Sequence, residues 1–260
     1  MPDYREMWSH LGLDLKSHDA LLSTLGSAYR DIFLSQKDRP EGMKYFDFVM
    51  SEVHGLRIKE LMDAKAEGRK VVGSYCVFVP EELILAVDGV SVGLCAGAEF
   101  NFEGAEAVLP RNLCPLIKSA FGFKLGRVCP YVEASDIIVG ENTCVGERGT
   151  QWLTDDKGET VDELLGAITE RYFKIDCAVF TPNPSRIDHI KDMYKRYNAQ
   201  GVIHYSLQFC HPYTVESGPV EADLEKAGIP VLRLETDYSQ EDTGQIKTRV
   251  EAFRERIEAR

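Results

Sequence analysis

GVIHYSLQFCHPY, at residues 201–213, is the stretch of sequence that decides the fold. Its first half, Gly201–Leu207, is rich in β-branched and aromatic side chains and predicts a strand. Cys210 follows this strand, and Pro212 lies where a helix would begin, a position that tolerates proline because the first N–H groups of a helix have no intrahelical partner. The stretch therefore predicts a strand that leads through a cysteine into a helix, as in α/β proteins.

Other apolar runs predict strands of the same kind. They are Lys70–Phe78, Ser91–Leu94, Asp136–Val139, Cys177–Phe180 and Val231–Leu234. Caps and periodicity predict helices between them, one beginning at Pro80 and others at Asp162–Tyr172, Pro184–Asn198, Val220–Ala227 and Gly244–Ile257. This alternation predicts an α/β fold with a parallel β-sheet covered by helices on both faces, Rossmann- or flavodoxin-like, in which ligands bind at the carboxyl ends of the strands.

The first part of the chain has a different pattern. Leu21, Leu22, Leu25 and Tyr29 recur at steps of three and four residues, which predicts helix rather than strand. The sequence therefore predicts an N-terminal helical segment at residues 1–69 and an α/β domain at residues 70–260.

Composition and charge limit the classes of partner. The 260 residues are 44% hydrophobic and 28% charged, as in an ordinary globular protein, and the net charge is -12. A negative chain is a poor match for nucleic acid, since phosphate binding requires a basic face. The first fourteen residues contain no apolar run long enough for a signal peptide or a membrane span, so we expect a cytoplasmic protein without a membrane partner.

The seven cysteines indicate metal binding or burial, because disulfides are rare in a reducing compartment and an odd number cannot pair completely. Cys76, Cys114 and Cys210 each lie where a strand or loop leads into a helix, and Cys144 follows the predicted strand Asp136–Val139. A helix N-terminus favours a thiolate, which is the form that binds iron or zinc.

The alternative for each of these cysteines is a purely structural role, which is as well supported when each is taken singly. Cys95 and Cys177 are predicted to be inert core thiols, and Cys129 is ambiguous, since cysteine is among the most buried residue types. The sequence has no CxxC pair, which disfavours structural zinc but is compatible with an iron–sulfur site assembled from distant strand ends.

Several long motifs resemble the 2-hydroxyacyl-CoA dehydratase component family, most closely its double-cubane cluster proteins. The motifs are GSYC at 73–76 with PEEL at 80–83, LPRNLCPLIKS at 109–119, YSLQFCHPY at 205–213 and IPVLRLETDY at 229–238. The resemblance covers nearly all of the chain from about Phe46 onward.

The resemblance implies a cofactor, ligands and partners. In the dehydratases, cysteines that correspond to Cys76, Cys114 and Cys210 hold a 4Fe–4S cluster, whereas the double-cubane branch holds an 8Fe–9S cluster between two similar domains. Both receive electrons from an ATP-hydrolysing iron–sulfur activator protein, act on a small-molecule or acyl-CoA substrate, and commonly form homodimers.

The chain departs from this family pattern because a middle region is missing. Residues 70–140 resemble the first family domain and residues 141–260 the second, so they are interpreted as fused halves of one cluster-binding domain. Four family-type cysteines, Cys76, Cys114, Cys144 and Cys210, are then expected to hold a single 4Fe–4S cluster.

Polar residues beside these cysteines are candidates for catalysis. His211 is a candidate proton donor, Glu147 a candidate contact for substrate or cluster, and Lys118 and Ser119 candidate donors to cluster sulfur. The structural alternatives are a hydrogen-bonding loop histidine, a surface pair of Glu147 with its neighbour, and ordinary helix packing.

The sequence thus supports three functions. The leading one is an anaerobic iron–sulfur oxidoreductase, a low-potential reductase of small molecules that depends on an ATP-hydrolysing activator. The second is a lyase, a 2-hydroxyacyl-CoA dehydratase subunit. The third is a binding or scaffold protein that has lost its cluster.

Overall fold

A computed structural model describes residues 4–76, 78–94, 97–140, 154, 157–239 and 241–259. Cys95, Cys144 and Glu147 lie outside these residues. The chain divides into two compact units, the first formed by Met1–Ala96 with Ala120–Arg148 and the second by Gly97–Ser119 with Gly149–Arg260.

The described elements alternate between helices and strands after an all-helical beginning. The helices are α1 (Arg5–His10), α2 (Leu15–Tyr29) with a π-helical turn (Arg30–Leu34), α3 (Met43–Ser51), α4 (Leu56–Ala66), α5 (Glu81–Ala86), α6 (Phe102–Glu106), α7 (Pro115–Leu125), α8 (Pro130–Ala134), α9 (Val161–Phe173), α10 (Pro184–Arg196), α11 (His211–Lys226) and α12 (Thr243–Glu258). The strands are β1 (Val71–Tyr75), β2 (Val90–Gly93), β3 (Ile137–Gly140), β4 (Val202–Leu207) and β5 (Val231–Thr236).

The first unit contains a parallel sheet in the order β2-β1-β3. Its core is formed by buried aliphatic side chains of α4, α8 and the strands, including Ile58, Leu61 and Val71. Gly73 in the central strand permits close packing, since a Cβ there would lie 2.6 Å from Ser135 Oγ and 2.7 Å from Leu94 Cδ1.

A histidine pair lies among the N-terminal helices of this unit, with His18 fully buried and His54 half-buried. His18 Nε2 and His54 Nδ1 are 3.0 Å apart, and Trp8 Nε1 donates a hydrogen bond of 2.6 Å to the His54 carbonyl. Burial, with a smaller contribution from neighbouring His18, lowers the pKa of His54 to about 4. The His54 ring is therefore neutral at pH 7, and burial lowers the pKa of His18 as well.

The second unit contains β4 and β5 as a parallel pair. Val220 and Leu224 of α11 pack with Ile229 and Val231 to form its core. Helix α12 is joined to β5 by arginine side chains, one of which, Arg256, donates a 2.7 Å hydrogen bond to the Val231 carbonyl.

The structure confirms the α/β class with parallel strands, and five of the six predicted strands form. The prediction of a strand at Cys177–Phe180 is wrong. These residues form a turn, in which the Phe180 N–H donates to the Cys177 carbonyl. The Rossmann- or flavodoxin-like arrangement and the division at residues 69 and 140 stay predictions.

Helix α11 begins nine residues earlier than predicted. It runs from His211 and includes Pro219 in its interior. Proline usually ends a helix because it removes an N–H donor and its ring meets the preceding turn, so the sequence pattern favoured a start at Val220. Elsewhere α5, α9, α10 and α12 lie where they were predicted.

Within the described ranges, every helix is too short or too polar to cross a membrane.

Candidate functional site

Two cysteines of the second unit form the centre of the site. Cys114 directly precedes Pro115, the first residue of α7, and Cys210 is the N-cap of α11, whose second residue is Pro212. Both side chains are half-buried, and the thiols are hydrogen-bonded to one another. Two predicted ligands, 96 positions apart in sequence, are thus brought together at the starts of two helices.

The electrostatics of this pair differ from the expectation at a helix N-terminus. The hydrogen bond with Cys114 raises the pKa of the Cys210 thiol far above its usual value, and burial adds to the increase. The Tyr213 backbone N–H and the positive charge of Arg186 act in the opposite direction, as expected, but are outweighed. The Cys210 thiol therefore holds its proton unless a cation replaces it.

An ion pair that the sequence analysis missed lies beside Cys210. Arg186 of α10 pairs with Glu216 of α11, with side-chain exposures of 13% and 16%, and its guanidinium lies 4.5 Å from the Tyr213 ring centroid. The carboxylate of Glu216 thus holds in place a cation whose charge acts on the Cys210 thiol. Because Arg186 and Glu216 are 30 residues apart on two helices, no sequence spacing indicated this contact.

His204 of β4 extends this group of residues. Its ring is hydrogen-bonded to the Tyr213 backbone, whereas Nε2 is buried and has no hydrogen-bond partner in the described part of the chain. Burial lowers the pKa of His204, so its ring is neutral at pH 7. His204 is thus a buried core histidine of which one ring nitrogen is hydrogen-bonded.

Lys118 and Ser119, in the first turns of α7, are buried and have structural partners. Lys118 Nζ lies 2.7 Å from Glu106 Oε1, and this hydrogen bond lowers the pKa of Glu106. The Ser119 hydroxyl donates to the Ala98 carbonyl at 2.7 Å and accepts from the Ala98 N–H at 3.3 Å. Their predicted roles beside a cluster remain predictions.

Asp237 lies just beyond β5 and contributes negative charge near Lys118. Its pKa is lowered chiefly by the Ser239 N–H, which donates to Oδ1 at 2.9 Å, and to a smaller extent by the charge of Lys118. Asp237 thus caps the turn that follows β5. His211, the first residue of α11, is exposed.

Cys76, in the first unit, follows β1 directly and is 4% exposed. Its φ of 74° lies in the left-handed region, which residues other than glycine rarely adopt. Phe209, which precedes Cys210, has a φ of 59°. Both thiols thus lie at sharp changes of chain direction after strands.

The remaining cysteines and candidates divide into two groups. Cys129 packs in the core of the first unit and Cys177 is fully buried, as expected of structural thiols. Cys144 and Glu147 lie in the part of the chain that is not described. Among the described residues, no group of three or more His, Cys, Asp or Glu side chains is placed to hold a metal ion.

Comparison with known families identifies the chain. The family model described as 2-hydroxyglutaryl-CoA dehydratase, D-component, matches residues 76–151 and 144–257, which together make up more than half of the sequence. The chain belongs to this family of 2-hydroxyacyl-CoA dehydratase components. The resemblance inferred from the cysteine motifs is therefore confirmed.

Three relatives show how this dehydratase component compares with other members. YjiM of Escherichia coli (strain K12), named as a dehydratase subunit, is 23% identical over 369 residues, covering 80% of this chain and 96% of YjiM. The (R)-phenyllactyl-CoA dehydratase beta subunit of Clostridium sporogenes is 29% identical over 121 residues, covering 46% of this chain and 31% of the relative.

The (R)-2-hydroxyglutaryl-CoA dehydratase subunit beta of Acidaminococcus fermentans is also 29% identical, over 203 residues. That alignment covers 76% of this chain and 50% of the subunit, so the chain spans about half the length of this relative. The alignment with YjiM is longer than the present chain, so YjiM contains a stretch for which this dehydratase component has no counterpart.

The residues of the second unit fit an iron–sulfur cofactor. Cysteine thiolates are the usual ligands of such clusters, and a thiol pair with partial exposure permits entry of iron. The nearby guanidinium of Arg186 compensates part of the negative charge that two thiolates would carry. Cys114 and Cys210 are thus suitable as two of the ligands.

Proposed function

We propose that this dehydratase component is a low-potential iron–sulfur reductase of small molecules, supplied with electrons by an ATP-hydrolysing iron–sulfur activator protein. Cys76, Cys114, Cys144 and Cys210 would hold the cluster. The observation that carries the proposal is the contact between the Cys114 and Cys210 thiols at the starts of α7 and α11. When bound, a cluster of this kind supplies one-electron chemistry at low potential.

The protein's own residues prepare the site for metal. Loading requires both thiols to lose their protons, and the hydrogen bond between them resists this in the metal-free chain. Arg186 and the Tyr213 backbone N–H favour the thiolate of Cys210 and so oppose that resistance. We therefore expect metal binding to release protons and to weaken as the pH falls.

Other predicted residues have narrower roles in this proposal. His211, exposed at the first position of α11, would deliver protons to substrate. Lys118, whose ammonium is fixed by Glu106, would contribute positive charge near the strand ends. Glu147 would contact substrate, and Ser119 would hold the loop at Ala98 beside the cofactor.

Iron and sulfide analysis of protein prepared without oxygen tests the cofactor. We expect a broad visible absorbance and the iron content of one 4Fe–4S cluster, and expect Cys114→Ser to lose most of the iron. Cys177→Ala is the matched control, since Cys177 is a buried thiol of the same unit outside the site. Full iron retention in Cys114→Ser would overturn the proposed ligand set.

The iron content also separates the proposed cofactors. An iron content that matches an 8Fe–9S double cubane would mean that this cofactor is bound in place of a single 4Fe–4S cluster. Protein without iron or visible absorbance would favour the third function, a cluster-free binding or scaffold protein. Cytoplasmic location and a homodimer remain part of the proposal, and cell fractionation and mass measurement test them.

A second candidate function is favoured by the relatives. Two of them are named as dehydratase subunits that act on phenyllactyl-CoA and 2-hydroxyglutaryl-CoA. Under this alternative the chain would be a 2-hydroxyacyl-CoA dehydratase subunit. Incubation of cluster-loaded protein with activator, ATP and a 2-hydroxyacyl-CoA distinguishes the two, because only a dehydratase forms the unsaturated acyl-CoA.

A further inference from the structure

The contact between the Cys114 and Cys210 thiols permits a reaction other than metal binding. The two side chains are hydrogen-bonded to one another, although 96 positions separate them in sequence. Two thiols in contact become a disulfide when together they lose two electrons and two protons. The folded chain therefore brings together the two groups that this reaction joins.

Exposure distinguishes this pair from the other cysteines that the structure describes. Of the five described free cysteines, Cys76, Cys129 and Cys177 are buried, whereas Cys114 and Cys210 are half-buried. Oxidation of a thiol depends on access of the oxidant to sulfur. Among these five, the contacting pair is therefore where a small oxidant reaches sulfur.

The backbone around the pair allows the two sulfur atoms to approach. Cys114 directly precedes α7, and Cys210 is the N-cap of α11, so neither cysteine lies within a helix or strand. Closing a disulfide brings the sulfur atoms to about 2.05 Å from one another. Rotation of two side chains can supply this movement without breaking the backbone hydrogen bonds of either helix.

We propose that Cys114 and Cys210 form a reversible disulfide in the metal-free chain, with a low-molecular-weight disulfide of the glutathione type as the oxidant. The bridge is transient, as disulfides of a reducing compartment usually are. Neither sulfur can bind iron while the two are joined. Cluster loading then requires prior reduction of the bridge, a consequence that rests on the proposed function.

The exchange is balanced in atoms and electrons. One protein sulfur, as thiolate, attacks a sulfur of the small disulfide, whose S–S bond breaks and releases one small thiolate. The second protein sulfur then attacks the first, which breaks the mixed disulfide and releases the second small thiolate. The protein loses two electrons and two protons, and the small disulfide becomes two thiols. A dithiol reverses the exchange and restores both protein thiols.

Peptide mapping of the unmodified chain tests the bridge. The metal-free protein is kept with a chelator and oxidised glutathione, without oxygen, and is then alkylated and digested with trypsin. The incubation is long because the raised pKa of Cys210 slows the exchange. Cleavage after lysine and arginine places Cys114 in residues 112–118 and Cys210 in residues 197–226, each as the single cysteine of its peptide. We expect these two peptides to be joined in most of the protein.

Three comparisons show whether the folded contact directs the bridge. Cys177→Ala removes a buried thiol of the same unit and should form the bridge to the same extent. Cys210→Ser should leave Cys114 bonded to glutathione, because no second thiol completes the exchange. The unmodified chain oxidised in concentrated urea should lose the preference, since closing a long flexible loop is entropically unfavourable. If Cys114 and Cys210 stay free in the folded chain, or join mainly to other cysteines, the proposal is wrong.

Binding of Co²⁺ separates this proposal from the proposed function. Co²⁺ serves as the probe for paired thiolates because sulfide, which cluster assembly needs, would itself reduce a disulfide. We expect thiolate-to-cobalt absorbance from the reduced chain and its loss from the bridged chain, with recovery after treatment with a dithiol. Equal absorbance from both forms would overturn the blocking of the site. A mapped bridge in a chain that binds neither Co²⁺ nor iron after reduction would instead refute the proposed function and leave the disulfide in place.

Discussion

Lowering the pH is expected to destabilise the first unit through the pair of His18 and His54. His54 has a pKa of about 4 in the folded protein, against 6.5 for an exposed histidine. Because the folded-state pKa is the lower one, the unfolded chain takes up the proton first. The stabilisation is therefore complete above pH 6.5 and is lost as the pH falls from 6.5 towards 4.

The magnitude follows from the two pKa values. Their difference corresponds to about 3 kcal/mol once both states are protonated, and to about 2 kcal/mol of that at pH 5. His18 contributes a loss of stability in the same pH direction, because burial lowers the pKa of its ring as well. A loss of this size is a large fraction of the stability of a typical domain.

Urea unfolding at pH 7 and pH 5 measures this effect. Fluorescence in a Trp152→Phe background reports on Trp8 alone, whose ring centroid lies 4.4 Å from that of His18. His54→Gln removes the titrating ring and should reduce the loss between the two pH values by about 2 kcal/mol. His10→Gln, at an exposed position on α1, should not change it. Equal pH dependence in the unmodified protein and His54→Gln would refute the reasoning.

Two further predictions concern packing and charge. Arg186→Met leaves Glu216 buried without its cation and should lower the free energy of unfolding, measured by urea titration, by about 3–5 kcal/mol. Lys59→Met, the control, breaks an exposed ion pair and should lower it by less than about 1 kcal/mol. Gly73→Ala forces a methyl group against the side chains beside β1 and should lower the free energy of unfolding by about 1–3 kcal/mol. Gly166→Ala, which has open space around it on α9, should raise this free energy by about 1 kcal/mol. Matching losses in both glycine variants would contradict this explanation.

The parallel α/β class was predictable because local composition determines it. The strand Gly201–Leu207 and the helix that begins near Pro184 were located by β-branched runs and caps, which depend on near neighbours in sequence. Cys177–Phe180 has the same apolar texture but forms a turn. Periodicity over four residues does not distinguish a strand from a buried turn.

The site was predictable only in part, for a related reason. Motifs identified Cys114 and Cys210, and the structure brings these two thiols together. Arg186 and Glu216 were not found, because the contact depends on how α10 packs beside α11. The increase in the pKa of Cys210 was missed likewise, since it arises from a thiol far away in sequence.

The left-handed backbone conformation at Cys76 allows two possible roles of this residue to be tested separately. They are the role of the thiol as a cofactor ligand and the role of the side chain in folding. Glycine adopts such a conformation without steric penalty, whereas serine has the same difficulty as cysteine. Exchange for glycine therefore removes the sulfur and relieves the backbone, while exchange for serine removes the sulfur alone. Comparing the two replacements distinguishes a thiol required for the cofactor from a side chain required for folding.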